Sequence, residues 1–305
     1  MHVDLFVALA GLIVGFAVGL TGMGGGALMT PILVLIFGIH PLAAVSSDLV
    51  ASLIMKPVGA AVHVSRGTVH WGLAVWLAVA SVPAAFLGVV ALRSIASASQ
   101  VEAIIGVALG AVLLLAVAAL VLKTYIDHRR AGAPGDDEPL RVKKLPTLAI
   151  GASIGFIVGI TSVGSGTLVI VLLLFLYPRL RGSQMVGTDL TQAIPMVGSA
   201  ALAHILFGDF TFGLTISILI GSIPGVLAGA AISSHAPTAF LRAALAAVLL
   251  VSGLKLVNVP TLAIGIVLMV VVAALLLTWA GVRASGHTLR DISGDAASRL
   301  TAKSA

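Results

Sequence analysis

The sequence predicts an all-α integral membrane protein: two inverted-topology repeats whose glycine-rich broken helices meet near the bilayer midplane. Three observations carry this reading. The 305 residues are 59% hydrophobic and 9% charged, with a mean hydropathy of +1.19. A soluble domain carries about 25% charged residues, so this chain has too little polar surface to stay wet. Second, the glycine-rich segment Gly19-Leu-Thr-Gly-Met-Gly-Gly-Gly-Ala-Leu-Met-Thr-Pro31 interrupts an apolar run, and Gly159-Ile-Thr-Ser-Val-Gly-Ser-Gly-Thr-Leu168 repeats it about 140 residues later. Broken apolar segments at matching places in two halves of a chain point to the binding site of a transporter. Third, the duplication extends well beyond the glycines.

The elements follow from about 20 apolar residues per spanning helix. Apolar segments fall near 4–21, 26–39, 44–63, 70–92 and 101–125. A polar linker separates them from segments near 147–161, 165–178, 185–206, 210–232, 238–257 and 260–282. The expected division is a first transmembrane repeat over 1–125, a basic linker over 126–146 and a second repeat over 147–257. An additional helix over 258–282 and a tail over 283–305 complete it. The first segment has no basic leader, so it reads as a retained helix. The first two segments of each half are short, and each pair reads either as two crossings or as one re-entrant hairpin.

At an offset of 140, Gly11, Gly15, Phe16, Gly19, Thr21, Gly24 and Gly26 match Gly151, Gly155, Phe156, Gly159, Thr161, Gly164 and Gly166. At an offset of 141, Asp48, His63, Gly72, Ser81, Pro83 and Gly88 match Asp189, His204, Gly213, Ser222, Pro224 and Gly229. The crossings before the linker number five or three. Either is odd, so the second half inserts upside down. The basic residues Lys123, Arg129, Arg130, Arg141, Lys143 and Lys144 flank the linker, and Arg283, Arg290, Arg299 and Lys303 lie in the tail. The positive-inside rule makes linker and C-terminus cytoplasmic and the N-terminus outward, in a cell inner (plasma) membrane. The net charge of +6 is therefore topology rather than a nucleic-acid surface. The chain has no cysteine, which excludes disulfides and thiolate metal sites.

Glycines packed as densely as Gly24, Gly25 and Gly26 disfavour helix and expose backbone. A helix that restarts there presents bare amides and a partial positive charge, which suit an anion. Gly164, Ser165 and Gly166 offer the same from the second half, and Thr21, Thr161 and Ser162 add hydroxyls. The four-residue spacing of Gly11, Gly15 and Gly19, and of Gly151, Gly155 and Gly159, reads instead as close helix packing. Lys56, inside an apolar segment, is a candidate counter-charge for the anion, with snorkelling as its bland alternative. Gln192 is a candidate lining residue. Asp48 and Asp189 fall at expected helix starts, where N-capping is the plain role and proton coupling the sharper one. His63 and His204 read as interfacial histidines near helix ends and as further proton-coupling candidates. No metal-ligand spacing appears, and neither a nucleotide loop nor a hydrolase elbow is satisfied.

In these motifs the chain resembles the TauE/SafE sulfite exporter family. The resemblance rests on GLTGMGGGALMTP and GITSVGSGTL, on the helix starts VSSDL and VGTDL, and on the turns HVSRG and HILFG. It implies a multi-spanning transporter of small sulfur-containing anions: sulfite, thiosulfate, sulfoacetate or other organosulfonates. It carries binding roles onto Gly24, Gly25, Gly26, Gly164 and Gly166. Partners are then the anion and the lipid bilayer, with no cofactor, no nucleic acid and no enzymatic chemistry. A passive channel for small anions or solutes is the alternative that the same features leave open.

Overall fold

The computed structural model describes residues 4–21, 25–95, 97–129, 141–207, 210–232 and 238–270. Ten helices make up the described part of a first unit, Met1–Asn258: α1 (Leu5–Thr21), α2 (Gly26–Leu35), α3 (Pro41–Ser65), α4 (Trp71–Ile95), α5 (Ala98–Arg129), α6 (Lys144–Thr161), α7 (Thr167–Leu176), α8 (Gly182–Phe207), α9 (Phe212–Ile232) and α10 (Thr238–Leu256). The described residues contain no strand. The second unit begins at Val259, and its described part holds one helix, Thr261–Val270.

Among the described residues, six helices are long and apolar enough to cross a membrane: Pro41–Ser65, Trp71–Ser94, Gln100–Ile126, Lys144–Thr161, Gly182–Phe207 and Phe212–Gly229. Large apolar side chains such as Phe6, Ile13, Val79, Leu87, Leu115 and Leu227 stand more than half exposed. Hydrocarbon is the solvent in which such a surface is stable, because no water-facing polar coat is available to cover it.

The short helices α2 and α7 behave differently. Each has ten residues, which rise only ~15 Å, half of the ~30 Å hydrocarbon thickness. Both are apolar on nearly every side and mostly buried, with Leu35, Leu172 and Phe175 left exposed. Ala27, Leu28, Met29 and Leu33 of α2 pack with Val7, Val14, Leu109, Leu113, Ile218 and Leu249 in one core. Val169, Ile170, Leu173 and Leu174 of α7 pack with Leu49, Leu77, Ile105, Val158, Met185 and Met196 in another.

Each short helix turns back toward the start of the helix before it. Tyr177, just past α7, places its hydroxyl 2.6 Å from Thr147 Oγ1 and accepts the Lys143 amide at 2.8 Å, both at the start of α6. Phe37 and Ile39, just past α2, line a cavity of about 380 Å³ together with Asp4 and Val7 at the start of α1. The turn between α6 and α7 is itself buried, with Val163 only 1% exposed. Helices α6 and α7 therefore meet at a turn inside the protein.

Small residues set the remaining helix contacts. Gly11 and Gly15 of α1 lie against the backbone of Ile218 and Ser222 in α9. Gly151, Gly155 and Gly159 of α6 lie against the carbonyls of Leu77, Ser81 and Ala85 in α4. Numbers rise together along both interfaces, so each pair runs parallel. A side chain at any of these glycines would hold the backbones apart, which is the packing role that four-residue spacing predicts. Helices α3 and α8 run antiparallel, with Leu53 against Gly198 and Leu190 against Gly59.

Candidate functional site

The polar centre of the molecule forms where the α6–α7 turn lies along α3 and α8. Helix α6 closes at Ser162, whose φ of 59° is left-handed, and α7 opens after Gly166 at φ 101°. Gly164, at φ 125°, completes a backbone path that favours glycine at two positions. Thr161 steadies this path from within: its hydroxyl contacts the Ile157 and Val163 carbonyls and accepts the Val163 amide at 3.2 Å.

Three contacts tie the turn to the long helices. Ser162 Oγ donates to Asp48 Oδ2 at 2.7 Å, and Thr30 Oγ1 of α2 donates to the same oxygen at 2.9 Å. Lys56 Nζ donates to Ser165 Oγ at 2.8 Å. The Gly166 amide bonds to the Asp189 carboxylate. Asp189 Oδ1 also accepts from Gln192 Nε2 at 3.0 Å, and Gln192 Oε1 accepts from Ser81 Oγ of α4 at 3.2 Å. Lys56 bonds a neutral hydroxyl while lying within electrostatic reach of both Asp48 and Asp189. Asp48, Lys56, Asp189 and Gln192 are each at most 7% exposed. A buried ammonium is costly in isolation, so its position between two carboxylates is what makes it tolerable here.

The two glycine-rich segments meet at this centre. Gly26, the first residue of α2, packs so closely on Ser162 that a Cβ there would overlap the Ser162 carbonyl oxygen and sit 3.0 Å from Asp48 Oδ2. Gly25 caps α2 and faces Met55 and Val18 with room for a Cβ, 3.7 Å from each. Gly24 lies outside the described residues, and so does the side chain of Thr21, which ends α1. The structure thus brings together Gly26, Lys56, Ser162, Ser165, Gly166, Gln192, Asp48 and Asp189.

Two sequence expectations are corrected. Asp48 and Asp189 do not cap helices: each lies a full two turns inside one, because α3 begins at Pro41 and α8 at Gly182. Their partners are side chains of other helices and the Gly166 amide. His204 is not interfacial. It is fully buried, with Nε2 donating to the Gly159 carbonyl at 2.8 Å and Nδ1 2.9 Å from Ser46 Oγ. His63 does lie near a helix end, half-buried, with Nδ1 2.9 Å from Thr68 Oγ1. The hydrogen bonds of both histidines thus lead away from the two carboxylates.

Thr30, Ser81 and Thr167 escaped the sequence reading. Thr30 and Ser81 each sit as a lone hydroxyl in an apolar run, and only the fold reveals that they face Asp48 and Gln192. Thr167 opens α7 directly after the glycine turn, a position that marks it as a first-turn residue. No three His, Asp or Glu side chains converge among the described residues. The site's chemistry is therefore that of hydroxyls, one amine, two carboxylates and helix-start amides.

The profile of the family described as sulfite exporter TauE/SafE matches residues 7–256. The "Probable membrane transporter protein YjnA" of Bacillus subtilis (strain 168) is 39% identical over 252 residues, covering 82% of this chain and 98% of the relative. The "Probable membrane transporter protein YunE" of the same organism is 37% identical over 76 residues, 25% of this chain and 26% of that protein. No solved structure matches. A match over nearly the whole helical unit makes this chain a membrane transporter and a member of the sulfite exporter TauE/SafE family.

Proposed function

We propose that the protein carries small sulfur-containing anions (sulfite, thiosulfate, sulfoacetate or other organosulfonates) across a cell inner (plasma) membrane, in company with protons. The single observation behind this reading is the buried centre itself. A lysine, two restarted helices and a set of hydroxyls converge where the two glycine segments touch. Restarted helices supply amides and partial positive charge, and Lys56 supplies a full one. Gly26, Ser162, Ser165, Gly166 and Gln192 would surround the anion, with Thr21, Gly24, Gly25, Thr161 and Gly164 shaping the two turns.

Charge counting favours proton coupling. One ammonium between two ionised carboxylates leaves the centre at −1. An anion arriving there meets repulsion unless a carboxylate first gains a proton, and Asp48 and Asp189 are the groups placed to take it. His63 and His204 are the remaining candidates, set one shell farther out.

The scaffold proposed for this work is a pair of inverted repeats, the first over 1–125 and the second over 147–257. The linker over 126–146 joins them, with a further helix over 258–282 and a tail over 283–305. Its support is that contacts recur with the halves exchanged. Gly15 against Ser222 corresponds to Gly155 against Ser81, and His63 beside Gly187 corresponds to His204 beside Ser46. The start of α1 lies near Ile39, which precedes α3, whereas Val142, just before α6, approaches Gly72 beyond the other end of α3. These contacts support halves that enter from opposite ends. The basic linker puts the start of α6, the linker and the C-terminus on the cytoplasmic side, and the N-terminus outside.

Counterflow in proteoliposomes tests the reading. Vesicles loaded with unlabelled sulfite, thiosulfate or sulfoacetate are expected to show saturable, trans-stimulated entry of the labelled anion, lost in Lys56→Met. Flux that rises linearly with concentration and ignores the trans anion would mean a channel. Flux of none of these anions would remove the sulfur assignment.

A further inference from the structure

Each short helix begins against a carboxylate that belongs to the protein. At α7 the Gly166 amide holds Asp189, and at α2 the Asp48 carboxylate lies against Gly26. Those are the positions at which a restarted helix would take a foreign anion. The two ends are not equal. Asp48 Oδ2 is held by two hydroxyls, from Thr30 and Ser162. At α7 there is donor capacity that Asp189 does not use. Thr167, the first residue of the helix and 7% exposed, has a hydroxyl with no hydrogen-bond partner among the described residues. The ammonium of Lys56 is held by Ser165, two positions before Thr167 in the chain. The corresponding first-turn residue of α2 is Ala27, which has no donor.

We propose that the Asp189 carboxylate is a tethered stand-in for the transported oxyanion at the start of α7, released when it is protonated and restored when it is deprotonated. This rests on the sulfur-anion reading above and names its coupling residue. The step moves one proton. An Asp189 oxygen gains it from water on the loading side, and the neutral carboxyl gives up its hold on the Gly166 amide. That amide, the Thr167 hydroxyl and the Lys56 ammonium then take the anion. Loss of the proton to water on the release side remakes the carboxylate, which competes the anion out. No bond other than that O–H forms or breaks.

Helix α8 packs against α3, α4, α6 and α7. The charged and titratable groups of those elements are Asp48, Lys56 and His63 on α3, Arg93 at the end of α4 and Lys144 at the start of α6; α7 has none. Of these, Lys56 is the leading charge acting on Asp189.

Thiosulfate is the probe, because its own charge is constant through the neutral range. The purified full-length protein is titrated with it from about pH 5 to about pH 9. Over a window in that range, wild-type affinity should fall about tenfold per pH unit, the slope of one linked proton. Asp189→Asn should flatten that slope and abolish uptake driven by a pH gradient. Thr167→Val should weaken binding about tenfold, as the loss of one charge-assisted hydrogen bond requires, with the slope kept. A flat wild-type slope overturns the stand-in whether or not the Asn variant folds, and so does a slope that survives in Asp189→Asn. Unchanged affinity in Thr167→Val removes the anion from α7. Folded wild-type protein that binds no thiosulfate, sulfite or sulfoacetate at any pH sinks the transport reading itself, a result distinct from binding without a slope.

Discussion

Gly26 and Gly25 are adjacent in sequence and alike in composition, yet the structure predicts opposite outcomes when each gains one methyl group. At Gly26 the new Cβ would overlap the Ser162 carbonyl oxygen and lie 2.8 Å from Ser162 Oγ and 3.0 Å from Asp48 Oδ2. Ordinary contact needs ~3.5 Å, so the two glycine segments must separate by roughly 1 Å. Two of those three atoms are held, the hydroxyl and the carboxylate by their mutual 2.7 Å hydrogen bond, and the third is backbone. Overpacking of this kind costs about 1–3 kcal/mol. A displacement of that size at a binding centre costs up to about a hundredfold in rate. At Gly25 the nearest atoms are Met55 Cε and Val18 Cγ2, both 3.7 Å away, and φ is −61°. Alanine fits there without strain and restricts the unfolded chain, a gain of about 0.4–1 kcal/mol. The assay is thiosulfate counterflow beside thermal unfolding in the same detergent. Gly25→Ala should transport like wild type and melt no lower. Gly26→Ala should lose about a hundredfold in counterflow and melt lower. Equal behaviour of the two variants would refute the claim that the segments touch through Gly26.

Other outcomes follow from the same geometry. Gly166→Ala must adopt φ 101°, a region costing an L-residue about 1–3 kcal/mol, so its unfolding temperature should drop even though Gly25→Ala does not lower it. Lys56→Met removes the cation between two buried carboxylates. It should destabilise the fold by about 3–5 kcal/mol at neutral pH, as other broken buried charge pairs do, and recover part of that loss on acidification; a loss that ignores pH would contradict the charge count. Orientation is open to labelling, because the chain has no cysteine to interfere. A membrane-impermeant maleimide applied to intact cells should reach Ile36→Cys, 74% exposed at the end of α2, and miss Ser65→Cys at the other end of α3. The reverse pattern would invert the topology.

Helix content was legible because it is written in one dimension, as apolar length. Helix depth was not. Asp48 read as a cap because the polar run Ser46-Ser47-Asp48 looked like a boundary. Pro41, well suited to the first position of a helix, was the better signal. The run is tolerated inside α3 because Ser46 and Asp48 find partners on other helices. His204 misled for the same reason: nearness to a chain turn does not reveal that a ring is enclosed by α3 and α6. Lys56 was legible as anomalous, but its Ser165 partner, 109 positions away, was not, since pairing across the halves is a property of the folded chain. Thr30 and Ser81 are ordinary residues of apolar helices until the fold points them inward.

The asymmetry between the halves yields a final prediction. Lys56 and Ser165 form a hydrogen-bonded pair, and the repeat offsets of 141 and 140 map them onto Val197 and Gly25. If the halves are related as proposed, the empty counterpart of that pair lies on the other side of the same centre. Val197 is 1% exposed and packed in the apolar core, so Val197→Lys alone buries an ammonium without its hydroxyl and should unfold readily. Gly25→Ser alone should be near neutral, since its Cβ has space. Together they should recover stability that neither change supplies separately. The coupling energy is expected to be about 0.5–3 kcal/mol, the range for directly contacting pairs, read from unfolding of the four proteins in the cycle. The added cation would also raise the centre from −1 to neutral, so the double variant should bind thiosulfate with a shallower pH slope than wild type. Zero coupling would break the correspondence at the site itself, whatever the helices around it do. Strong coupling with an unchanged slope would keep the repeat and remove net charge as the reason a proton travels with the anion.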